Sequence, residues 1–464
     1  MRNGFLSFLI AGVALLAGCD RDQDSPTGPN GTISAGGPLV GFVHAVADAP
    51  PVTLQVGGST IFSGIPFKSA SYAGFNATSG DAVVTVNVPG MMDPVEVFGP
   101  AAVSINDGQK FTIIAIGTAD NITPIILDEA RPNIATTQTQ VRVIHGSPDA
   151  PMVDVYVEAP GTDITGATPL GTIMFGDTLG PVTITPGDYQ ISVTPAGDNT
   201  TVVFDSGTVT FTGGEDLFAI AVNNTTTGDS PISLLLSDEQ TGFATEVLNE
   251  GTPADVRVVH ASPDAPNVDV FAGMSTTPVF SNLAYTDVTM YESLMPGMMT
   301  QLRVTATGTT MPAVIDETLN LAEGFSYTVF AGGLLEDIAP IVFVDDNRSV
   351  STEARVRIIH ASPSAGDVDI FVVEPGTDIT MPDEDGEDIA PNFAGVAFEA
   401  STGYVSLEPG MYDVIVTAED DEDRMAVIGP ATITVEAGGI YTAAARDAAG
   451  GGAPFGLILF DDFE

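Results

Sequence analysis

The chain has 464 residues, of which 44% are hydrophobic, and carries a formal net charge of −48. This length allows several domains, and the charge argues against nucleic acid and anionic lipid headgroups as direct partners, because both would be repelled. With Cys19 as the single cysteine, the folded region can contain no disulfide. Abundant glycine and proline, together with runs of Val, Ile and Thr, predict short strands joined by tight turns.

The N-terminus predicts export and lipid anchoring. An apolar run at residues 4–17 is too short to span a bilayer and is typical of a signal peptide core. Leu16-Ala17-Gly18-Cys19 is similar to the lipobox of bacterial lipoproteins, in which the cysteine sulfur carries diacylglycerol. We therefore predict a lipoprotein signal peptide at 1–18, lipidation of Cys19 and a flexible tether over 19–37, which is polar and rich in Gly and Pro.

The lipid predicts a location in the cell envelope, with the N-terminal lipid as the contact to the membrane. Asp20 directly follows the cysteine and resembles the inner-membrane retention signal of enteric bacteria. The outer membrane or cell surface is favoured, and the periplasmic face of the inner membrane remains an alternative.

The four histidines of the chain mark four copies of one motif. They begin the heptapeptides HAVADAP, HGSPDAP, HASPDAP and HASPSAG, at His44, His145, His260 and His360. The separation of the first and third histidines equals that of the second and fourth to within one residue. Copies two and four also share an insertion, PGTDIT, at 160–165 and 375–380. The pattern indicates a tandem repeat in which a two-domain unit was duplicated.

Each copy contains the strand pattern of a small β-sandwich. An alternating strand ends at the histidine, a second strand follows, a Pro-Gly turn precedes a long strand, and a nearly all-apolar strand comes late. Seven or eight strands in roughly 100 residues match an immunoglobulin-like sandwich, with a closed barrel as the alternative. We predict an all-β chain of four tandem immunoglobulin-like β-sandwich domains, forming a column end to end. The predicted domains cover 38–131, 132–247, 248–348 and 349–464.

Two segments carry a resemblance to a known family. VRVVHASPDAPNVDVF at 256–271, and the PG-x-Y-x-I-x-V-T pattern at 186–194, resemble the bacterial domain-of-unknown-function 4397 family. The resemblance covers nearly all of 38–464 and is strongest in copies two and three, while copy one departs at Val46-Ala47 and copy four at Ser364 and Gly366. It implies an exported protein, often with tandem domains and often lipid-anchored. It does not imply any enzymatic activity or ligand.

The corner after each histidine predicts a structural role. The histidine is in phase with core valines such as Val141 and Val143, and Ser-Pro-Asp-Ala favours a type I turn. We expect the ring to stabilise the turn by bonding a carbonyl or the turn aspartate, which is Asp48, Asp149 or Asp264. The alternative is a metal ligand or catalytic base formed by His260 with Asp264. One histidine and one carboxylate are too few for zinc, and copy four places Ser364 at the acid position.

Charged residues flank the corner symmetrically in three copies. The spacing predicts exposed cross-strand ion pairs on a hairpin, each contributing about 0.2 to 1 kcal/mol. The predicted pairs are Arg142 with Asp154, Arg257 with Asp269, and Arg357 with Asp369. Copy one has Gly41 and Thr53 instead and loses both partners together.

Acids close each copy where one domain follows another. We expect solvated carboxylates that protect a strand edge, with a shared Ca²⁺ at the domain joints as the alternative. The candidate calcium residues are Asp128, Glu129, Asp238, Glu239, Asp345 and Asp346. Two acidic runs in copy four, 383–388 and 419–423, do not match an EF-hand loop.

The sequence predicts no catalytic residue and no cofactor. It contains no Gly-x-Ser-x-Gly, no His-Glu-x-x-His and no phosphate-binding glycine loop. We therefore expect a non-enzymatic, lipid-anchored binding or spacer protein of the cell envelope, whose ligand is an unidentified envelope glycan or protein. The alternatives are an envelope hydrolase with a carboxylate-based site and a calcium-stiffened adhesin.

Overall fold

A computed structural model describes residues 38–463 apart from 76–77, 240–241, 296–299, 383–385 and 420. The predicted signal peptide, Cys19 and the whole tether lie outside the described residues, as do Pro296-Gly297 and parts of both acidic runs. The described residues form 33 strands in eight sheets, arranged as four tandem β-sandwiches, which confirms the all-β prediction. Among these residues no helix is long and apolar enough to cross a membrane.

The strands follow one another in the same order in each sandwich. Sandwich 1 contains β1 (Leu39–His44), β2 (Val52–Val56), β3 (Ser59–Ile65), β4 (Ser69–Gly74), β5 (Thr78–Val86), β6 (Val95–Ile105), β7 (Gln109–Thr118) and β8 (Asn121–Ala130). Sandwich 2 contains β9 (Thr139–His145), β10 (Val153–Glu158), β11 (Gly171–Ile173), β12 (Thr178–Ile184), β13 (Gly187–Pro195), β14 (Phe204–Phe211), β15 (Asp216–Asn223), β16 (Ile232–Asp238) and β17 (Phe243–Val247). Sandwich 3 contains β18 (Ala254–His260), β19 (Val268–Ala272), β20 (Phe280–Leu283), β21 (Glu292–Leu294), β22 (Thr300–Ala306), β23 (Ala313–Leu319), β24 (Ser326–Gly332) and β25 (Ala339–Asp345). Sandwich 4 contains β26 (Ala354–His360), β27 (Val368–Val373), β28 (Phe393–Val396), β29 (Ser401–Leu407), β30 (Gly410–Ala418), β31 (Ala426–Val435), β32 (Ile440–Arg446) and β33 (Gly456–Asp461).

Each sandwich has a first sheet, which holds the histidine strand, and a second sheet. The first sheets have the orders β4-β1-β7-β8, β12-β9-β15-β16-β17, β21-β18-β24-β25 and β29-β26-β32-β33. The second sheets have the orders β3-β2-β5-β6, β11-β10-β13-β14, β20-β19-β22-β23 and β28-β27-β30-β31. The histidine strand runs parallel to the seventh strand, and the other pairs are antiparallel.

The inward faces of the two sheets form the core of each sandwich. In sandwich 1, Val40 and Phe42 of β1 pack with Leu54 of β2, Val84 of β5 and Ile113 of β7, all with an exposed fraction of 1% or less. Burying each such side chain contributes about 1.5 to 3 kcal/mol. The alternating residues that predicted the strands therefore point into these cores.

A second apolar layer lies outside the cores, between sandwiches. Val43 and Ile114 of sandwich 1 pack against Ile144, Phe218 and Ile220 of sandwich 2. The outer faces of the two first sheets thus meet, and strands such as β7 and β15 are buried on both faces, which explains their continuous apolar sequences.

Sandwiches 3 and 4 pair in the same way. Val259 and Phe330 of sandwich 3 pack with Ile359, Ala444 and Phe460 of sandwich 4. The expectation of a column of end-to-end domains is therefore wrong: the first sheets pack face to face in two pairs.

The two pairs also touch each other through the first corner. Arg348, in the linker between sandwiches 3 and 4, donates through Nη1 to the carbonyl oxygens of Ala47 at 3.1 Å and Ala49 at 3.0 Å. The backbone N–H of Ser351 donates to the carbonyl oxygen of Asp48 at 2.9 Å. The corner of copy one is thereby held against a linker three hundred residues later in the chain.

Candidate functional site

Each histidine ring bonds the backbone at the far end of its own corner. The Nε2 atoms lie 3.2 Å from Pro50 O, 3.0 Å from Pro151 O, 3.0 Å from Pro266 O and 2.7 Å from Gly366 O, for His44, His145, His260 and His360 respectively. In three copies Nδ1 accepts a backbone N–H two residues on, from Val46, Ser262 or Ser362. A carbonyl requires Nε2 to be the donor, so in these three copies the ring is neutral with its proton on Nε2. This is the contact that the structural interpretation requires.

The turn aspartates bond a neighbouring loop rather than the histidine. Asp48 Oδ1 accepts from the N–H of Ala119 at 2.9 Å, and Asp264 Oδ1 accepts from the N–H of Leu335 at 2.7 Å. Asp149 Oδ2 accepts from the side-chain amide of Asn223 at 2.7 Å. These loops follow or end the seventh strand, so each aspartate ties the corner to that strand. In the described part of the chain, no three His, Cys, Asp or Glu side chains come together as a metal site.

The corner joins the two sheets of a sandwich and does not close a hairpin. In sandwich 2, β9 pairs with β12 and β15, whereas β10 pairs with β11 and β13. The histidine strand and the strand after it are therefore in different sheets, and the hairpin that the sequence predicted is wrong.

The predicted cross-strand ion pairs are wrong for the same reason. Asp154 accepts instead from the hydroxyl of Thr172 on the adjacent strand β11, and from the N–H of Gly197 at 2.7 Å in the turn after β13. The other two aspartates act alike: Asp269 accepts from the N–H groups of Asn282 and Gly308, and Asp369 accepts from Gly395 N–H. The arginines Arg142, Arg257 and Arg357 point from the opposite sheet into the interfaces between sandwiches, where they are 2% to 4% exposed.

Buried charges link sandwich 1 to sandwich 2. Asp216 lies 2.7 Å from Arg142 Nη1 and forms an ion pair with Lys110, whose side chain is fully buried. Arg142 reaches back to Glu129 of sandwich 1 at 2.5 Å, and Lys110 lies 3.3 Å from Glu239 of sandwich 2. Three of these four ion pairs cross the interface, so the charges hold the two sandwiches in one arrangement.

Copy one lacks the arginine because its space is occupied. A Cβ atom at Gly41 would lie 2.4 Å from Cε1 of Tyr72. The hydroxyl of Tyr72 hydrogen-bonds with Ser237 Oγ of sandwich 2 at 2.7 Å. Tyr72 and Lys110 therefore take the place that an arginine has in the other copies.

Asp345 is the centre of the second interface. Its side chain is 0% exposed and lies 2.7 Å from Arg357 of sandwich 4, an ion pair without hydrogen-bond alignment. The other carboxylate oxygen accepts from Thr328 Oγ1 at 2.6 Å and from the hydroxyl of Tyr291 at 2.7 Å. Arg257 lies 3.8 Å from Asp345.

Arg257 also crosses to sandwich 4. Its guanidinium donates to both carboxylate oxygens of Asp461, with Nη2 at 3.2 Å from Oδ2. The guanidinium carbon lies 4.6 Å from the ring centroid of Tyr291 and 4.6 Å from that of Phe460. Arg257, Arg357, Asp345 and Asp461 together carry no net charge, which is the condition for burying them.

The comparison with known families agrees with this repeated architecture. A family model described as a domain of unknown function (DUF4397) matches residues 38–156, 139–246, 254–371 and 375–464. The chain belongs to this family. The first and third matches extend into the opening strands of the next sandwich. No curated protein matches the chain.

Four of the six acids considered as calcium ligands at the joints of the DUF4397 domains form ion pairs within the chain. Glu129, Glu239, Asp345 and Asp346 are paired with lysine or arginine side chains, while Asp128 is exposed. Carboxylates do meet at the domain joints, as the sequence predicted, but cations of the chain neutralise them. At these four positions the carboxylates are engaged by cationic side chains of the chain itself.

Several residues of these interfaces carried no distinctive sequence signal. Lys110, Asp216, Asp461 and Tyr291 were missed because their partners are distant in the sequence. One signal was available, which is the position of these charges in the strands. The chain has only 13 Lys and Arg against 61 Asp and Glu, and one of these few cations, Lys110, lies near the start of the apolar strand β7. Asp216 likewise lies at the start of the apolar strand β15. A charge at that point of a strand buried on both faces needs a partner.

The fourth DUF4397 domain has a polar cleft of about 410 Å³. Its lining includes Asp369, Asp388, Asp421, Glu422 and Arg424. Asp421 accepts from the N–H of Met425 at 2.9 Å, and Arg424 donates to Ile379 O at 2.8 Å. Asp369, Asp421 and Arg424 therefore stabilise the loops around the cleft, which leaves Asp388 and Glu422 as its candidate functional acids.

The corner histidine of sandwich 1 makes the stability depend on pH. Burial lowers the pKa of His44 to about 3, the hydrogen bond to Pro50 opposes that shift, and the nearby Arg348 charge adds to it. The unfolded chain, with an ordinary histidine pKa near 6.5, takes up the proton first as the pH falls. This contribution is therefore fully present above about pH 6.5 and is lost progressively toward pH 3.

We expect the variant His44→Gln to show a weaker acid dependence than the natural chain. Between pH 6.5 and 4.5 the natural chain should lose about 2 to 3 kcal/mol more of its free energy of unfolding than the variant. Urea denaturation followed by circular dichroism at each pH measures this difference. Equal slopes in the two proteins would show that His44 does not titrate in the unfolding reaction.

Proposed function

We propose that this protein is a lipid-anchored, non-enzymatic component of the cell envelope that presents binding surfaces on a rigid scaffold of paired sandwiches. The single observation that supports the proposal best is the burial of the outer faces of the first sheets between sandwiches. A string of independent domains would leave those faces in water. The ligand class that we propose is an envelope glycan or protein, bound on the surfaces that the pairing leaves exposed.

The chemistry of the interfaces supports a rigid assembly. Contacts between domains of one chain usually resemble transient interfaces and permit motion. Here separation of sandwiches 3 and 4 would expose Phe330 and Phe460, and would leave Asp345 without Arg357. Exposing each such phenylalanine to water costs about 1.5 to 3 kcal/mol, so the closed arrangement is preferred.

The anchoring part of the proposal is tested with Cys19. In cells that produce the full chain, the natural protein should sediment with membranes, while Cys19→Ala should be released into the soluble fraction. Release of the natural protein into the soluble fraction would contradict lipid anchoring at this cysteine. The soluble variant then serves to measure co-sedimentation with isolated cell-wall material and envelope polysaccharide, where binding to neither would contradict the ligand class of glycans.

The rigid scaffold is tested at the contact between the two pairs. We expect Arg348→Ala to raise the radius of gyration in small-angle X-ray scattering, because two carbonyl groups lose their donor and the first corner separates from the linker. Arg424→Ala is the matched control, since Arg424 bonds a carbonyl within sandwich 4. An unchanged radius in the Arg348 variant would show that this contact does not hold the pairs together.

The cleft of sandwich 4 is the observation that favours an envelope hydrolase as a second candidate. Asp388 and Glu422 could act as proton donor and base in a hydrolytic reaction. If the protein cleaves an envelope polysaccharide, Asp388→Asn or Glu422→Gln should reduce the rate by at least about 100-fold. Absence of cleavage by the natural chain would contradict the hydrolase candidate.

A further inference from the structure

The methionines of this protein lie on its surface. The chain has 14, and the three at positions 1, 298 and 299 lie outside the described residues. All of the remaining eleven are exposed, from 44% for Met152 to 100% for Met92. They are Met91, Met92, Met152, Met174, Met274, Met290, Met295, Met311, Met381, Met411 and Met425.

This distribution is the reverse of the usual one. Methionine is among the residues most often buried, and its flexible side chain fills gaps in cores. Here no described methionine belongs to a core or to an interface between sandwiches, where Val, Ile, Leu, Phe, Ala and Tyr do the packing. Among the exposed large apolar side chains of the described residues, eleven are methionine and ten are all other types combined. The described methionines, whose apolar side chains oxidants attack, therefore lie on the surface and not in the cores.

Four of the eleven methionines lie at a position that recurs in three of the four copies. Met91 and Met92 lie in the turn between the fifth and sixth strands of sandwich 1. Met311 and Met425 lie in the corresponding turns of sandwiches 3 and 4. Oxidation converts a thioether to a polar sulfoxide, which disrupts a core but costs no desolvation on an exposed turn. These turns therefore tolerate the modified side chain.

We propose that the exposed methionines form an oxidant-scavenging surface whose oxidation leaves the fold intact. The oxidant is a peroxide or a hypohalous acid. With hydrogen peroxide, the O–O bond breaks and one oxygen atom bonds to the methionine sulfur, while the other leaves as water. The sulfur loses two electrons and the peroxide gains them. With Cys19 as its only cysteine, the chain offers no other reduced sulfur in the folded region.

The test exposes the full-length protein to excess hydrogen peroxide and follows it by mass spectrometry of the intact protein and its peptides. We expect a sulfoxide at all eleven positions, with a shift of the thermal unfolding midpoint of less than about 2 °C. Methionine sulfoxide reductases for both epimers should then restore the unmodified mass. Incomplete oxidation, a larger fall in the midpoint, or sulfoxides that the reductases cannot reach would each overturn the proposal.

A buried thioether provides the matched control. Leu302 lies in the core of sandwich 3 with 4% exposure, and Leu→Met exchange conserves volume. In Leu302→Met the introduced side chain should oxidise at least tenfold more slowly than the eleven surface methionines, and its oxidation should lower the midpoint. Equal rates would show that exposure does not select the reactive residues, and the proposal would fail.

Discussion

Replacing Asp345 by alanine is expected to lower the free energy of unfolding by about 3 to 5 kcal/mol. The carboxylate is 0% exposed and neutralises Arg357, with Arg257 3.8 Å away. Its removal leaves a guanidinium buried without its counter-charge, takes the acceptor from the Thr328 hydroxyl, and leaves the Tyr291 hydroxyl only Asn347 Oδ1 at 3.5 Å. Urea denaturation followed by circular dichroism measures the loss.

The next residue provides the control for this prediction. Asp346 pairs with Arg355 at 2.7 Å, but its side chain is 48% exposed. Asp346→Ala should therefore change the free energy of unfolding by only about 0 to 1 kcal/mol. Similar losses in the two variants would contradict the argument, because burial would then not govern the strength of these ion pairs.

Replacing Asp216 by alanine is expected to have an effect of the same size on the other pair of sandwiches. Asp216 is the partner of both Lys110 and Arg142, which come from different sandwiches. Lys110 is fully buried and would keep only Glu239, at 3.3 Å. We expect a loss of about 3 to 5 kcal/mol and faster hydrogen exchange in β7 and β15, which pack across the interface.

Glu215 is the matched control, since it precedes Asp216 and accepts from the N–H of Thr212 at 3.0 Å on the exposed side of the turn. Glu215→Ala should lower the free energy of unfolding by about 1 kcal/mol or less, without a change of hydrogen exchange at the interface. Faster exchange confined to the turn in the Asp216 variant would show that the interface does not depend on this carboxylate.

The corner after each histidine shows which features the local sequence could predict. The phase of His260 with Val256 and Val258 predicted that the ring faces the core, and Ser-Pro-Asp-Ala predicted a turn; both concern neighbouring residues. The ring does lie buried against the carbonyl of Pro266. Periodicity likewise located the strands, because a period of two depends only on the chain itself.

The error over Arg142 and Asp154 has a long-range cause. A spacing symmetric about a turn fits both a hairpin and a connection between two sheets, and a sequence pattern contains no record of which strand each segment pairs with. The sequence of β15 did indicate a contact between sandwiches, because its residues are apolar on both faces. Such a strand needs a second layer of protein. That layer is the neighbouring sandwich.

The sequence by itself determined the number of copies, the main strands of each copy and the buried state of their histidines, because these follow from periodicity and turn chemistry within each copy; the ninth strand of sandwich 2, β17, exceeds the seven or eight predicted. Only the tertiary structure decided which surfaces the copies share and which charges meet there. Lys110 and Asp216 are 106 residues apart, and Arg257 and Asp461 are 204 residues apart. Such pairs form only when two folded sheets pack face to face, so their identity depends on the geometry of assembled sandwiches and not on any local pattern.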